Sequence, residues 1–263
     1  MTKKEFTKFD YKEKNLFGRH RIEQNFFNKL WKKGDRGISV YKWGLISQAD
    51  DFAFRLLGNL KGKKVIDFGC GGGQNSIRLA KEGAIVFAFD ISEEAVKATR
   101  RLAVANGLGK KVIVERMAAE KLNYNSNSID LIFGTGILHH TDLDLSKKEI
   151  CRILKKRGRA VFLEPLGHNP FINLFRLLTP SKRTPTEKPL RFQDIENLGK
   201  DFNRMNHREF CLLSLLAILF IPLKNKKLFE IVSKRLTAID NFLCHSFPFL
   251  RKYFWIIVIE LVK

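Results

Sequence analysis

Cysteine is scarce in this 263-residue chain, and the four present, Cys70, Cys151, Cys211 and Cys244, stand too far apart for paired metal-ligand spacing. They read as free thiols of a reducing compartment, not as a disulfide framework. No run of His, Cys or carboxylates has ligand spacing either, so no metal site is expected. Acidic residues are few: 27 Asp and Glu face 48 Lys and Arg, a net charge of +21. That field concentrates anionic partners such as phosphates or acidic lipid surfaces, the alternative being that it only keeps the chain soluble. No apolar run reaches the roughly 20 residues a bilayer span needs; the longest uncharged one is 211–223. The opening MTKKEFTKFDYKEKN is too polar for a signal peptide, so the expected location is cytoplasmic. No internal repeat is visible. With 44% hydrophobic and 29% charged residues, a disordered chain is excluded and one α/β domain with additions fits the length.

Strand and helix patterns alternate through the middle of the chain. KKVIDF (63–68) is a short apolar run, NSIRLAKEG (75–83) has helical spacing with a terminal glycine, and AIVFAFD (84–90) is strand-like. Ser92 is placed to cap the next helix, with Glu93 and Glu94 in its first turn and Gly107 closing it. KVIVERM (111–117), DLIFG (130–134) and RAVFLE (159–164) are the next strands, the last two separated by a helix over 145–158. Strands alternating with helices imply a parallel sheet covered on both faces. Five of the seven prolines then fall within 165–189, which excludes a long regular helix there. Beyond them, 205–220 begins as a strand and continues as a buried helix, 226–247 has helical spacing, and YFWIIVIELV (253–262) reads as a final strand. Residues 1–50, with Phe26, Phe27, Trp31, Tyr41 and Trp43 among many charges, read as a helical lead-in or lid.

The stretch VIDFGCGGGQNSIRLAKEGAIVFAFD (65–90) narrows the ligand. A phosphate-binding P-loop needs Gly-Lys-Ser/Thr after its glycines, and Gly73-Gln74-Asn75 excludes it. A dinucleotide fingerprint would put its third glycine at Gln74, which weakens NAD without excluding it. What fits is Asp67-x-Gly69-Cys70-Gly71-x-Gly73, whose bare backbone can approach a ligand closely, followed by Asp90 at the next strand tip, where an acid accepts hydrogen bonds from a ribose diol. This stretch resembles motif I and the following acidic position of the class I S-adenosylmethionine-dependent methyltransferases, and the resemblance to their quinone-biosynthesis branch extends over about residues 45–165. It implies a Rossmann-like α/β fold: a seven-stranded, mostly parallel sheet with helices on both faces and an antiparallel last strand. It further implies S-adenosyl-L-methionine bound by Asp67, Gly69, Cys70, Gly71, Gly73, Asp90, Ile91, Ala119, Glu120 and Gly134. The family's acidic contact to adenine is replaced by Ala118, so adenine falls to the Ala119 backbone, Glu120, or packing against Ile91 and Met117. Residues 51–165 are then the cofactor-binding core, and 166–263 a substrate-covering insertion with the last two strands.

Ligands of open α/β sheets sit beyond the carboxyl ends of the strands, which selects catalytic candidates. His139 and His140 follow a strand tip and titrate near neutrality, as a general base for a hydroxyl or amine must; Glu164 ends the fifth strand and is placed to orient a substrate group. The alternative for the pair is that "LHH" simply opens a helix. His168 is a weaker candidate, and His207 and His245 read as surface or core. Base-methylating relatives carry Asn/Asp-Pro-Pro-aromatic where this chain has Gly134-Thr135-Gly136-Ile137, so the expected acceptor is a small or lipid-linked molecule. RNA, and a non-catalytic cofactor-binding module, remain the alternatives. Arg176, Lys182, Arg183, Lys188 and Arg191 in the proline-rich insertion suit an anionic group on the acceptor, whereas the basic residues over 147–159 read as a solvated face. The run 211–223 followed by Lys224, Lys226 and Lys227 allows peripheral contact with the inner face of a membrane, the alternative being that it covers the sheet.

Overall fold

Val65, Ile66, Asp67 and Phe68 are all buried, so strand β1 (Lys64–Phe68) must be flanked on both edges and covered on both faces. The computed structural model describes residues 3–33 and 43–263, with side chains from residue 15 onward; Tyr41 lies outside the described residues. On one side β1 pairs in parallel with β2 (Ile85–Asp90), and β2 with β3 (Val112–Arg116). On the other it pairs with β4 (Ile129–Thr135), and β4 with β5 (Leu154–Pro165). Beyond β5 the pairing turns antiparallel: β7 (Ile256–Val262) inserts between β5 and β6 (Arg204–Phe210). The order β3-β2-β1-β4-β5-β7-β6 is the expected seven-stranded, mostly parallel sheet. The chain leaves β1 and β4 in opposite directions across the sheet, which opens a crevice at their carboxyl ends.

Helix α1 (Lys3–Lys32) precedes α2 (Ser47–Leu56), and α3 (Gln74–Lys81) and α4 (Glu93–Ala105) follow β1 and β2. The Ser92 hydroxyl caps α4 by accepting from the Ala95 N–H at 3.2 Å. Two apolar clusters cover the sheet, with Val65, Val86 and Val161 in one and Ile66, Ile132 and Phe162 in the other.

Three expectations are corrected. The helix over 145–158 is α5 (Leu143–Ile153), capped by Asp142. It stops because Leu154 turns extended and pairs with Ile129, while the Arg157 N–H, at φ 64°, donates to the Lys263 carbonyl beside β7; 154–158 therefore belong to β5. The buried helix expected after β6 is a 3-10 run, Leu213–Leu223, with Leu219 72% exposed. Its first turn is set by Asp240 of α8 (Lys226–Ser246), which accepts from the N–H groups of Leu212, Leu213 and Ser214. The last strand starts at Ile256, because Pro248–Tyr253 closes into a further 3-10 turn. Within the proline-rich insertion lie two short helices, α6 (Pro170–Leu178) and α7 (Phe192–Gly199). Asn169 caps α6 by accepting from Phe171 and Ile172, and Pro170 occupies its first position.

Candidate active site

The turn after β1 carries left-handed glycines at Gly69 (φ 75°), Gly71 (φ 49°) and Gly73 (φ 84°). It is tied to the tip of β2: the Gly71 N–H donates to Asp90 Oδ2 at 2.9 Å and the Ser92 N–H to Oδ1 at 2.8 Å. An ionised carboxylate offers about four acceptor positions, so Asp90 retains capacity for a ligand diol on the crevice side. Burial raises its pKa above the usual carboxylate range, opposed by the amide donors of Ser92 and Gly71. Asp67 sits elsewhere. It is fully buried under the loop, accepts from the Ser76 hydroxyl at 2.5 Å, and burial pushes its carboxyl up to about 7. The Cys70 thiol points into the protein toward the Thr99 hydroxyl, and burial raises it well above its usual value.

A cavity of about 160 Å³ lies between this loop and α1. Gly69, Gly71, Asp90, Ile91, Ala119 and Glu120 line it, as does Met117. Bare backbone, a carboxylate that can take a diol, and an apolar wall of Ile91 and Met117 fit a nucleoside with a zwitterionic tail. The Glu120 carboxylate is already engaged, accepting from the Asp142 N–H at 2.8 Å and from His20 Nε2 at 3.0 Å, which leaves the Ala119 backbone and apolar packing for the base. His20, Glu23, Phe27 and Trp31 of α1 form the opposite wall, which the aromatic content of residues 1–50 hinted at. A Cβ on Gly72 would meet the Trp31 ring at 2.6 Å. Polar ties hold α1 there: Ser92 Oγ donates to Asn28 Oδ1 at 2.7 Å, Arg19 Nε to the His140 carbonyl at 3.0 Å, and the Thr184 hydroxyl to Glu23 at 2.7 Å.

A second cavity, about 880 Å³, opens on the far side of Thr135 and Gly136, which line both spaces. Gly134 lies one residue short of that wall; its Cα packs against Phe162 inside the sheet. The two histidines face different spaces. His140 lines the smaller cavity and its Nδ1 lies 3.1 Å from Glu23 Oε2; burial, then the neighbouring His139, lowers its pKa. His139 lines the larger one. Its Nδ1–H donates to Glu164 Oε2 at 2.6 Å, and Glu164 also accepts from the N–H groups of Ile137 (2.9 Å) and Leu138 (2.8 Å). Glu164 is fully buried and lines neither cavity, so its carboxylate reaches the larger space only by way of the His139 ring. A carboxylate on Nδ1 fixes the tautomer and leaves Nε2 as the proton acceptor. His168, His207 and His245 line neither cavity.

Residues 66–162 match the family described as a methyltransferase domain. They are a class I methyltransferase domain. The ubiquinone biosynthesis O-methyltransferase of Bordetella parapertussis is 35% identical over 124 residues, 46% of this chain and 50% of that protein. The chain thus spans about half the length of the curated relatives it matches. Among solved structures, a geranyl diphosphate C-methyltransferase from Streptomyces coelicolor A3(2) in complex with Mg2+, geranyl diphosphate and S-adenosyl-L-homocysteine superposes with a TM-score of 0.59 at 16% identity, covering 88% of this chain and 86% of that one. The [4+2]-cyclase SpnF has a TM-score of 0.56 at 17% identity, covering 82% and 80%. These likenesses show a shared fold; a cyclase among them illustrates that fold alone does not set chemistry.

Around the methyltransferase domain, the chain beyond Pro165 supplies most of the larger cavity, the proline-rich insertion forming one side of it. Phe171, Phe175, Arg176, Lys182, Arg183 and Glu187 line it, so three of the five basic residues expected near an acceptor reach it, while Lys188 and Arg191 do not. Arg176 pairs with Glu187 at 2.5 Å. The ligating atoms of His139, His140 and Glu187 lie within 4.8 Å of one another, a grouping invisible to sequence spacing because Glu187 arrives from the insertion. Each already has an ionic partner, in Glu164, Glu23 and Arg176. The basic stretch over 147–159 is not simply solvated: Lys147 is buried against Asp201 at 2.9 Å, and Arg152 bonds Glu149 and the Leu122 and Tyr124 carbonyls. No described helix is long and apolar enough to cross a membrane.

Proposed function

We propose that the chain transfers a methyl group from S-adenosylmethionine to an oxygen of an apolar small-molecule or lipid-linked acceptor. The observation that carries this is the Glu164–His139 pair, whose His139 ring lines the larger cavity beside the Thr135–Gly136 wall shared with the Asp90 crevice. S-adenosylmethionine supplies an electrophilic methyl on a sulfonium. Asp90 would hold the ribose diol, the backbone over 69–73 the amino-acid tail, and Ile91, Met117 and Ala119 the base. His139 Nε2 would take the proton of the acceptor hydroxyl, and Glu164 would stabilise the imidazolium formed. Holding oxygen and methyl in line supplies much of the remaining acceleration.

The O-methyltransferase name of the relatives matched over about half their length supports an oxygen acceptor, and the geranyl diphosphate bound by the Streptomyces C-methyltransferase supports only an apolar, anionic character for it. Lys182 and Arg183 at the cavity rim suit an anionic group on it. Peripheral contact with the inner face of a membrane, from the cytoplasm, fits an acceptor with a lipid part. In this reading residues 51–165 are the cofactor-binding core, 166–263 cover the acceptor, and the amino-terminal segment, α1 above all, is a lid. In this reading α1, which forms the wall opposite the glycine loop of a cavity of about 160 Å³, moves outward to admit the cofactor.

Incubation with methyl-labelled S-adenosylmethionine and a cell extract split into lipid, small-molecule and RNA pools tests the proposal. Label in the lipid or small-molecule pool is expected; label confined to RNA overturns the acceptor class.

A further inference from the structure

The larger cavity has two lips, and both are oily on the outside. One is α6, none of whose residues is buried, with Phe171, Leu174, Leu177 and Leu178 each more than half exposed. The other is the 3-10 run Leu213–Leu223, where Leu216 and Leu219 are more than half exposed. Six large apolar side chains left more than half exposed on the two lips of one cavity are a grouping that singly scattered surface apolar residues do not make. Phe171, Leu216 and Leu219 also line the cavity, so its interior is continuous with the outer patch.

Charge identifies what covers the lips. No Asp or Glu occurs over 168–186 or 211–229, while Arg176, Lys182 and Arg183 accompany the first lip and Lys224, Lys226 and Lys227 follow the second. The last three and Lys182 are exposed, and Lys226 has only a long pairing to Glu230 at 3.8 Å. A second copy of the same basic surface would be repelled, and a zwitterionic surface would leave these cations unmatched. We infer that the two lips dock on an anionic lipid bilayer, with leucines and Phe171 among the acyl chains and lysines at the headgroups, so that the acceptor passes sideways from bilayer to cavity. This rests on the reading that the larger cavity receives the acceptor.

The test is co-sedimentation of the full chain with vesicles of phosphatidylcholine alone or mixed with phosphatidylglycerol. Binding to the anionic vesicles at least about tenfold tighter than to phosphatidylcholine, and weakened by salt, is expected from several basic residues at the surface. Leu177→Asp with Leu223→Asp changes two exposed leucines that line neither cavity, and is expected to weaken vesicle binding at least about tenfold while S-adenosylhomocysteine affinity stays unchanged. Equal affinity for both vesicle types, vesicle binding unaffected by the double variant, or a dimer that this variant dissociates would each overturn the docking. A chain that binds S-adenosylhomocysteine but neither vesicle type overturns it too and leaves the catalytic reading standing; vesicle binding without that ligand does the reverse.

Discussion

Replacing Glu164 by Gln isolates the base. In the native site one carboxylate oxygen accepts from Ile137 and Leu138, and the other from the His139 ring at 2.6 Å and its N–H at 3.4 Å. Glutamine keeps one carbonyl oxygen for the first two donors but turns an NH2 toward the imidazole. That amide can be satisfied only by donating to Nδ1, which moves the ring proton to Nε2, the nitrogen left toward the acceptor cavity. The base then arrives already protonated. General-base catalysis contributes about 10²–10⁴-fold, so kcat with the labelled extract pool is expected to fall by about that factor. Losing the charge from two or more hydrogen bonds costs about 2–4 kcal/mol of stability, at roughly 1.5–3 kcal/mol each less what the amide recovers. Calorimetry with S-adenosylhomocysteine should give an unchanged Kd, because Glu164 lines neither cavity. A cooperatively folded variant whose kcat stays within about threefold of wild type would refute the role of the pair.

Trp31→Ala removes the ring that lies against Gly71 and Gly72. If α1 gates the crevice, the dissociation rate of S-adenosylhomocysteine, read by stopped-flow, rises about tenfold or more with little change in Tm; an unchanged rate counts against a lid. Asp67 is held at about 7 by burial, against 3.8 when solvated. Its folded pKa is raised, so the stability it contributes is complete below the unfolded value and is lost as pH rises through about 7. Asp67→Asn, which still accepts from Ser76, should therefore gain on wild type as pH rises from 5 to 8, by about 3 kcal/mol in urea melts. Parallel profiles would contradict this.

The parallel half of the fold was legible because its signals are local. Apolar runs ended at glycines or acids, and Ser92 with two glutamates marked the start of α4. What escaped depended on distant partners. Leu154 carries a helical pattern, but Ile129 and the Lys263 carbonyl draw it and its successors into the sheet. The run after β6 looked buried because its polar organiser, Asp240, lies on a later helix. Asn169-Pro170 was a readable cap and first helical position, overlooked among the neighbouring prolines.

In the site, the glycine turn and Asp90 are joined by the Gly71 N–H, whereas Asp67 and the Cys70 thiol turn inward. The wall between the cavities is Thr135 and Gly136, whereas Gly134, expected at the cofactor, lies just before it and packs against Phe162. The aromatics of residues 1–50 hinted at a covering helix, but Glu23 was illegible, since one carboxylate among many charges gives no sign of what it will lie against.

Cofactor affinity of Asp90→Asn weighs most directly on whether the crevice holds S-adenosylmethionine. Asn keeps one acceptor for the loop amides but loses the charge that would grip a ribose diol. With charged hydrogen bonds at roughly 1.5–3 kcal/mol each, the loss should be about 2–4 kcal/mol, a Kd raised some 30- to 1,000-fold. An unaltered Kd in the folded variant, or a wild-type crevice that takes NADH in place of S-adenosylhomocysteine, would contradict the assignment.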